Sequence, residues 1–353
     1  MEIKNVIFHK LNKEKKEKDI EQSPVTIDPR DTELDKDNEL VKLLIDKIIE
    51  SYKRGKTFGS FDTNTEIHKF QTWLKDFYDD SKELSFRDFT LTTMQSLKAE
   101  IENKNFATGG YILFCSYEQD GNQWFMIVML KDKDGFTIED LTLKTIQELD
   151  LDKLHQLVRI NVSAWKSSDT KAYLSFINKK KGDASAYFVK VIGCTDSVPS
   201  KTATRAVFDL VDAVFEEAGS EYDEVSERVK ETLYEFMDNR RPSPVNLDEI
   251  AVMINAELPV EFHDLFINLA NSDQYMISEE FEPDLTELKR FKRIKYKTSL
   301  WVLDVERNAI GKLNSGANVI YNENDKSLTF MDLPDDLNLE ILETISSIDK
   351  DDG

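Results

Sequence analysis

Two runs of lysine and arginine are the residues in this sequence best suited to chemistry, and that chemistry is electrostatic contact with phosphate. In the first, Lys179, Lys180 and Lys181 follow Asn178 and precede Gly182. Lysines just ahead of a helix start, where free backbone N–H groups and the helix dipole also favour an anion, form a phosphate contact. The same three residues also read as a solvated turn, since charge clusters at turns are common. The second run is Lys289-Arg290-Phe291-Lys292-Arg293-Ile294-Lys295-Tyr296-Lys297. As a strand, its last five residues place Arg293, Lys295 and Lys297 on one face and Ile294 and Tyr296 on the other. Neutralising about six phosphates there would give a log-log salt slope of roughly −5. The competing reading is a cationic edge strand that resists edge-to-edge pairing.

The elements around the first run follow from periodicity. Tyr173, Ser175 and Ile177 alternate with Leu174 and Phe176 as a half-buried strand does, and the lysines supply the turn. Asp183 caps the next helix, with Ala184, Tyr187, Phe188, Val191 and Ile192 as its stripe and Gly193 as its stop. Upstream, Ile3–Leu11 reads as a strand, with Ser23–Ile27 as a candidate partner across the charged run Lys13–Glu21. A helix is expected from Asp35 or Asn38 to Tyr52, closed by Lys53-Arg54-Gly55-Lys56, and two more over His68–Tyr78 and Phe89–Asn103. Tyr111–Tyr117 and Gln123–Leu130 are apolar strands joined at Asp120-Gly121, a strong hairpin signal. Leu154–Val162 and Ala172–Ile177 extend the sheet, with Phe136–Leu143 as a short strand or loop, for about five to six strands.

From Thr202 the pattern turns helical: Thr202–Ala218, a helix marked by Val225, Val229, Leu233 and Phe236, then Ile250–Ala256 and Val260–Ala270 between prolines. Glu216, Glu217, Glu221, Asp223, Glu224, Glu227, Glu231 and Glu235 crowd the first pair, as a solvated face or as a surface for a partner. Ile294–Thr298, Leu300–Val305, Val319–Tyr321 and Leu328–Met331 read as a small C-terminal sheet. The expected fold class is α+β: an N-terminal mixed or antiparallel sheet with covering helices, a central helical segment and a small C-terminal antiparallel sheet. The expected domains are 1–200, an α+β domain with the central sheet; 201–272, helical; and 273–353, a small α+β domain with an acidic tail.

Enzyme signatures fail. His9, His68, His155 and His263 are scattered without zinc-site spacing, and no GxxxxGK[ST], GxSxG or GxGxxG occurs. Asp79-Asp80, Asp335-Asp336 and Asp351-Asp352 suit a solvated surface, and Glu118 or Asp120 near Lys131 only faintly approaches a metal-dependent nuclease set. No enzyme, cofactor or metal is therefore expected. Cys115 and Cys194 sit in apolar stretches and read as reduced thiols. The chain lacks an apolar run of membrane-spanning length and a signal-peptide core, so no membrane and a cytoplasmic location are expected. With 46 Lys+Arg against 68 Asp+Glu, the net charge of −22 opposes the usual basic footprint of a nucleic-acid binder. Phosphate binding then demands that positive charge be segregated into a local patch.

Three segments carry a family resemblance. They are Ala172–Cys194 with the helix after it, the run Phe106-Ala107-Thr108-Gly109-Gly110-Tyr111-Ile112-Leu113-Phe114-Cys115-Ser116-Tyr117, and Leu149-Asp150-Leu151-Asp152 leading through Arg159-Ile160 to Trp165. Together they resemble the bacterial nucleoid-associated protein family of the NdpA/YejK type. The resemblance implies a cytoplasmic, nucleoid-localised, DNA-associated protein without assigned catalytic residues, and leaves open which residues touch DNA. The expected partner is double-stranded DNA, held by non-sequence-specific phosphate contacts from Lys179, Lys180, Lys181, Lys289, Arg290, Lys292, Arg293, Lys295 and Lys297. The alternative is an acidic interaction protein or DNA mimic that binds a basic protein of the DNA replication, topology or defence machinery. A homo-oligomer stays open.

Overall fold

The computed structural model describes residues 1–13, 24–64, 66–102, 109–152, 154, 156–167, 172–177, 186–196 and 198–351. The chain begins with β1 (Glu2–Asn12), β2 (Thr26–Asp28), helix α1 (Glu39–Ser51), β3 (Thr57–Phe61), α2 (Phe70–Phe77) and α3 (Phe86–Glu102). It continues through β4 (Gly110–Gln119), β5 (Asn122–Leu130), β6 (Asp132–Glu139), β7 (Thr142–Leu149) and β8 (Gln156–Asn161) to α4 (Val162–Ser167), β9 (Leu174–Phe176), α5 (Ala186–Ile192) and β10 (Cys194–Asp196).

Eight of these strands form one sheet in the order β10-β3-β9-β8-β5-β4-β1-β2, every adjacent pair antiparallel. The apolar runs of β4 and β5 are continuous because both faces are covered. Phe125, Ile127 and Met129 join a core with Phe70, Leu74, Phe89 and Leu97 of α2 and α3. Trp124, Met126 and Val128 point the other way, to Ile45 and Ile48 of α1. Asp120 and Gly121 take φ of 51° and 75°, the left-handed pair that a two-residue hairpin turn requires. Helix α1 begins where the sequence indicates: the Asn38 side chain accepts the Leu40 N–H at 2.8 Å.

The sheet corrects the expected five to six strands. Thr57–Phe61 and Cys194–Asp196 are additional strands that pair with each other, and β3 also pairs with β9. Phe136–Leu143 belongs to a hairpin of β6 and β7 that forms its own two-stranded sheet. The strand expected to reach Val162 stops at Asn161, because Val162 opens α4 and the Asn161 side chain accepts the Ala164 N–H at 2.9 Å.

The helical part comprises α6 (Ser200–Ala218), α7 (Asp223–Arg240), β11 (Val245–Asn246), α8 (Leu247–Asn255), α9 (Leu265–Ala270), β12 (Glu280–Phe281) and α10 (Leu285–Lys292). Val207, Phe208, Val211, Leu233, Ile250 and Phe266 are buried in its shared core. The helix expected over Val260–Ala270 is split into a single 3-10 turn at Val260–Phe262 and α9, since Asp264 between them has φ of 67°. After α10, β13 (Arg293–Lys297) and β14 (Val302–Glu306) make an antiparallel hairpin. Then β15 (Ile310–Lys312) runs parallel to β16 (Val319–Asn322), which pairs antiparallel with β17 (Ser327–Phe330), and α11 (Asp335–Asp351) is the last described element.

A seam joins the large sheet to the helical part. Buried Asn271 accepts the Lys56 N–H at 3.0 Å and donates to the carbonyls of Lys56 and Ile277. The Phe58 N–H reaches Ser278 Oγ at 3.1 Å, and the Glu279 N–H reaches the Lys56 carbonyl at 2.9 Å. The otherwise free edges of residues 56–58 are thereby satisfied from a segment more than 200 positions away in the chain.

Candidate nucleic-acid interface

Lys179, Lys180 and Lys181 lie outside the described residues. The second cationic run straddles two elements, the last turn of α10 and the whole of β13. A helix C-terminus favours cations, which accounts for Lys289, Arg290 and Lys292 at that turn. The Asp284 side chain caps α10 by accepting the Glu287 N–H at 2.9 Å.

The cations are not equivalent. Arg290 turns back to Glu287 at 3.1 Å, a carboxylate only 1% exposed that also faces Lys201 at 3.5 Å and Arg205 at 3.8 Å. Arg293 is held by Asp304 at 2.5 Å and Glu306 at 3.3 Å, acids placed by the register of β14. Lys292 lies 5.3 Å from the Tyr234 ring, and Lys289 and Lys297 are exposed. Lys289, Lys292 and Lys297 make no ion pair among the described residues. Lys289, Lys292 and Lys297 therefore keep their charge unpaired and Arg293 is neutralised by its two acids, while Arg290 shares the single Glu287 carboxylate with Lys201 and Arg205, a group that stays net positive.

The hairpin adds what its basic residues did not announce. Tyr296 and Trp301, 63% and 52% exposed, sit across the turn with ring centroids 5.9 Å apart. Leu300 at the turn is 90% exposed. The Thr298 hydroxyl oxygen accepts the N–H groups of Leu300 and Trp301 at 3.2 and 3.0 Å, and the Thr298 N–H reaches the Trp301 carbonyl at 2.9 Å, so the tip has a defined shape. A basic ribbon with aromatic and aliphatic side chains at its tip can set lysines on phosphates while a ring stacks on a base or wedges into a base step. Sequence reasoning placed Tyr296 with Ile294 on the strand face opposite the cations and passed over Trp301. The available signal was two aromatics flanking a Thr-Ser turn within a basic run.

Charge of the opposite sign gathers elsewhere. Glu216, Glu217, Glu221, Asp223, Glu224, Glu227, Glu231 and Glu235 are all exposed around the turn between α6 and α7. Lys230 lies among them, paired with Asp212 at 2.7 Å and Glu227 at 2.5 Å. Among the described residues there is no group of histidine, cysteine and carboxylate side chains able to hold a metal. No described helix is long and apolar enough to cross a membrane. Cys115 and Cys194 are free thiols, and burial pushes both up from the usual range.

Comparison with known proteins matches residues 7–338 to the family model described as nucleoid-associated protein YejK. A nucleoid-associated protein of Metapseudomonas resinovorans is 29% identical over 343 residues, covering 96% of this chain and 98% of its own. One from Azotobacter vinelandii is 29% identical with coverages of 96% and 97%. One from Pseudomonas putida is 30% identical over 318 residues, with coverages of 88% and 91%.

Proposed function

Because the chain belongs to the YejK family of nucleoid-associated proteins, we propose that it binds double-stranded DNA in the bacterial nucleoid, through phosphate contacts that carry affinity without reading sequence. The match across residues 7–338, together with relatives named for the nucleoid, is the observation that carries this reading. The β13–β14 hairpin is the contact surface in this reading, with Lys289, Lys292 and Lys297 on phosphates and Tyr296, Leu300 and Trp301 at the bases or grooves. Phosphate contacts position a protein on DNA without specifying where, which suits an architectural role with no catalytic centre. Lys179, Lys180 and Lys181 are proposed as a second contact on their composition alone.

The exposed carboxylates at the α6–α7 turn favour a second reading, an acidic surface for a basic protein partner, with DNA contact indirect. Fluorescence anisotropy of a mixed-sequence duplex across a salt series separates the two. Salt-sensitive binding lost when Lys289, Lys292 and Lys297 become Glu supports direct contact. A folded wild-type protein that does not bind at low salt overturns it.

A further inference from the structure

The seam between the large sheet and the helical part holds a lysine that makes no ion pair among the described residues. Lys56 is 5% exposed, and its ammonium lies 5.5 Å from the Tyr52 ring centre and 5.4 Å from that of Phe58. Among the described residues it has no hydrogen-bonded or ion-paired oxygen. The ammonium opens onto a cleft, where an arriving anion could complete it.

Lys56 lines a cleft of about 760 Å³ shared with Lys53, Arg54 and Arg159, against the two carboxylates of Glu50 and Asp273. Lys53 pairs with Glu50 at 3.3 Å, Arg54 with Asp264 at 3.4 Å, and Arg159 with Asp273 at 2.5 Å. The cleft is thus locally positive in a protein of net charge −22, and its uncompensated charge sits on the most enclosed lysine. Arg159 and Asp273 also border a second cavity of about 260 Å³, walled by Trp124, Tyr173 and Asn161. The Lys56 ammonium, a point charge without an ion-paired oxygen, suits the oxygens of a phosphate group, while the Arg159 guanidinium in the same cleft is already held by Asp273 and Tyr117 and fixes the wall. The adjoining aromatic and amide wall gives room for the molecule that carries it.

We propose that this cleft binds a phosphate group on a nucleotide-sized ligand, with Lys56 as the anion contact, Arg159 in the wall and Arg54 at the mouth. The phosphate belongs either to a free nucleotide or to a DNA end. The site is separate from the β13–β14 hairpin and does not depend on it. Burial holds the Lys56 pKa down to about 8, with Asp273 opposing and Arg159 adding to the shift. An arriving anion relieves that penalty.

Isothermal titration of the full chain with inorganic phosphate, AMP, ATP, and a short oligonucleotide with or without a 5′-phosphate tests the proposal. Binding of a phosphate-bearing probe is expected, weakened by about tenfold or more in Lys56→Met, which keeps the side-chain length and removes the charge. Lys56→Gln serves as a second variant should Lys56→Met fail to fold. The hairpin variant Tyr296→Ala/Trp301→Ala is expected to bind these probes as the wild type does. Response to AMP or ATP assigns the source to free nucleotides, and response confined to the 5′-phosphorylated oligonucleotide assigns it to DNA ends. Silence toward every probe at millimolar concentration, or binding undiminished in the Lys56 variants, overturns the site.

Discussion

The guanidinium of Arg159 lies 3.6 Å from the centre of the Trp124 ring. Its Nε donates to the Tyr117 hydroxyl at 2.6 Å, and Nη1 reaches Asp273 at 2.5 Å across the seam. Strands β4, β5 and β8 supply the first three groups, and the turn after α9 supplies the fourth. Arg159→Lys keeps the charge but loses both the flat stacking surface and the fork. A loss of about 2 kcal/mol is expected, below the full cost of breaking a buried pair because Asp273 is partly exposed. Urea unfolding followed by tryptophan fluorescence measures it, and an unchanged midpoint would show that the stack contributes nothing.

The hairpin carries the prediction for DNA. With Arg293 neutralised internally, about three to four phosphate contacts remain for Lys289, Lys292, Lys297 and Arg290, so the log-log salt slope should be about −3 to −4 rather than −5. Tyr296→Ala/Trp301→Ala should weaken duplex binding by about 1–3 kcal/mol per lost stack while leaving that slope unchanged. A slope altered by the aromatic variant, or unaltered by Lys297→Glu, would contradict the division of labour.

His9 makes stability depend on pH. Its ring is buried; Nδ1 accepts the Arg30 N–H at 3.1 Å and Nε2 donates to Thr90 Oγ1 at 2.9 Å, since Thr90 itself donates to the Arg87 carbonyl. A proton on Nδ1 would face a donor. Burial, then the Arg87 charge, hold the pKa down to about 4 from 6.5. The unfolded chain binds this proton first, so stability falls as pH drops from about 6.5 to 4, by about 3 kcal/mol in total. Thermal melts at pH 7, 6 and 5 should fall less steeply for His9→Gln, which retains a donor and an acceptor. Parallel pH profiles for the two proteins would refute it.

Lys56 gives the opposite window. Its charge penalises the folded state in full below pH 8 and is shed as pH rises from 8 to 10.5, where the unfolded chain alone keeps the proton. Without ligand, Lys56→Met should therefore be more stable than the wild type at pH 7, by on the order of 2–3 kcal/mol, and the gap should close toward pH 10. Denaturant midpoints at pH 7, 8.5 and 10 check both sign and window.

Much of the sheet was readable because its signals are local. Asn38 stands before an apolar helical stripe, and Asp120-Gly121 separates two apolar runs, so cap and turn follow from residue type. Thr57–Phe61 carries no such signal: Gly59 interrupts it, and it is a strand because β9 and β10 arrive to pair with it. The interface divides in the same way. The cationic run was visible, but the loss of Arg293 to Asp304 and Glu306 depends on a cross-strand register, and Arg159 meets a carboxylate 114 positions away. A sequence displays charge, while the partners that cancel it are fixed by tertiary pairing.

The strand order also bears on how the protein is made. Glu2 in β1 pairs opposite Glu118 in β4, and β3 receives its neighbour β10 only from residues 194–196. At a translation rate of roughly 5–20 residues per second, the first strand leaves the ribosome roughly 6–20 s before its partner exists. Until then most of its edge is unpaired, since β2 meets only Lys10–Asn12. Sheet closure waits on distant contacts, which makes folding slow for topological reasons. During synthesis the nascent chain therefore exposes apolar surface that the finished fold buries.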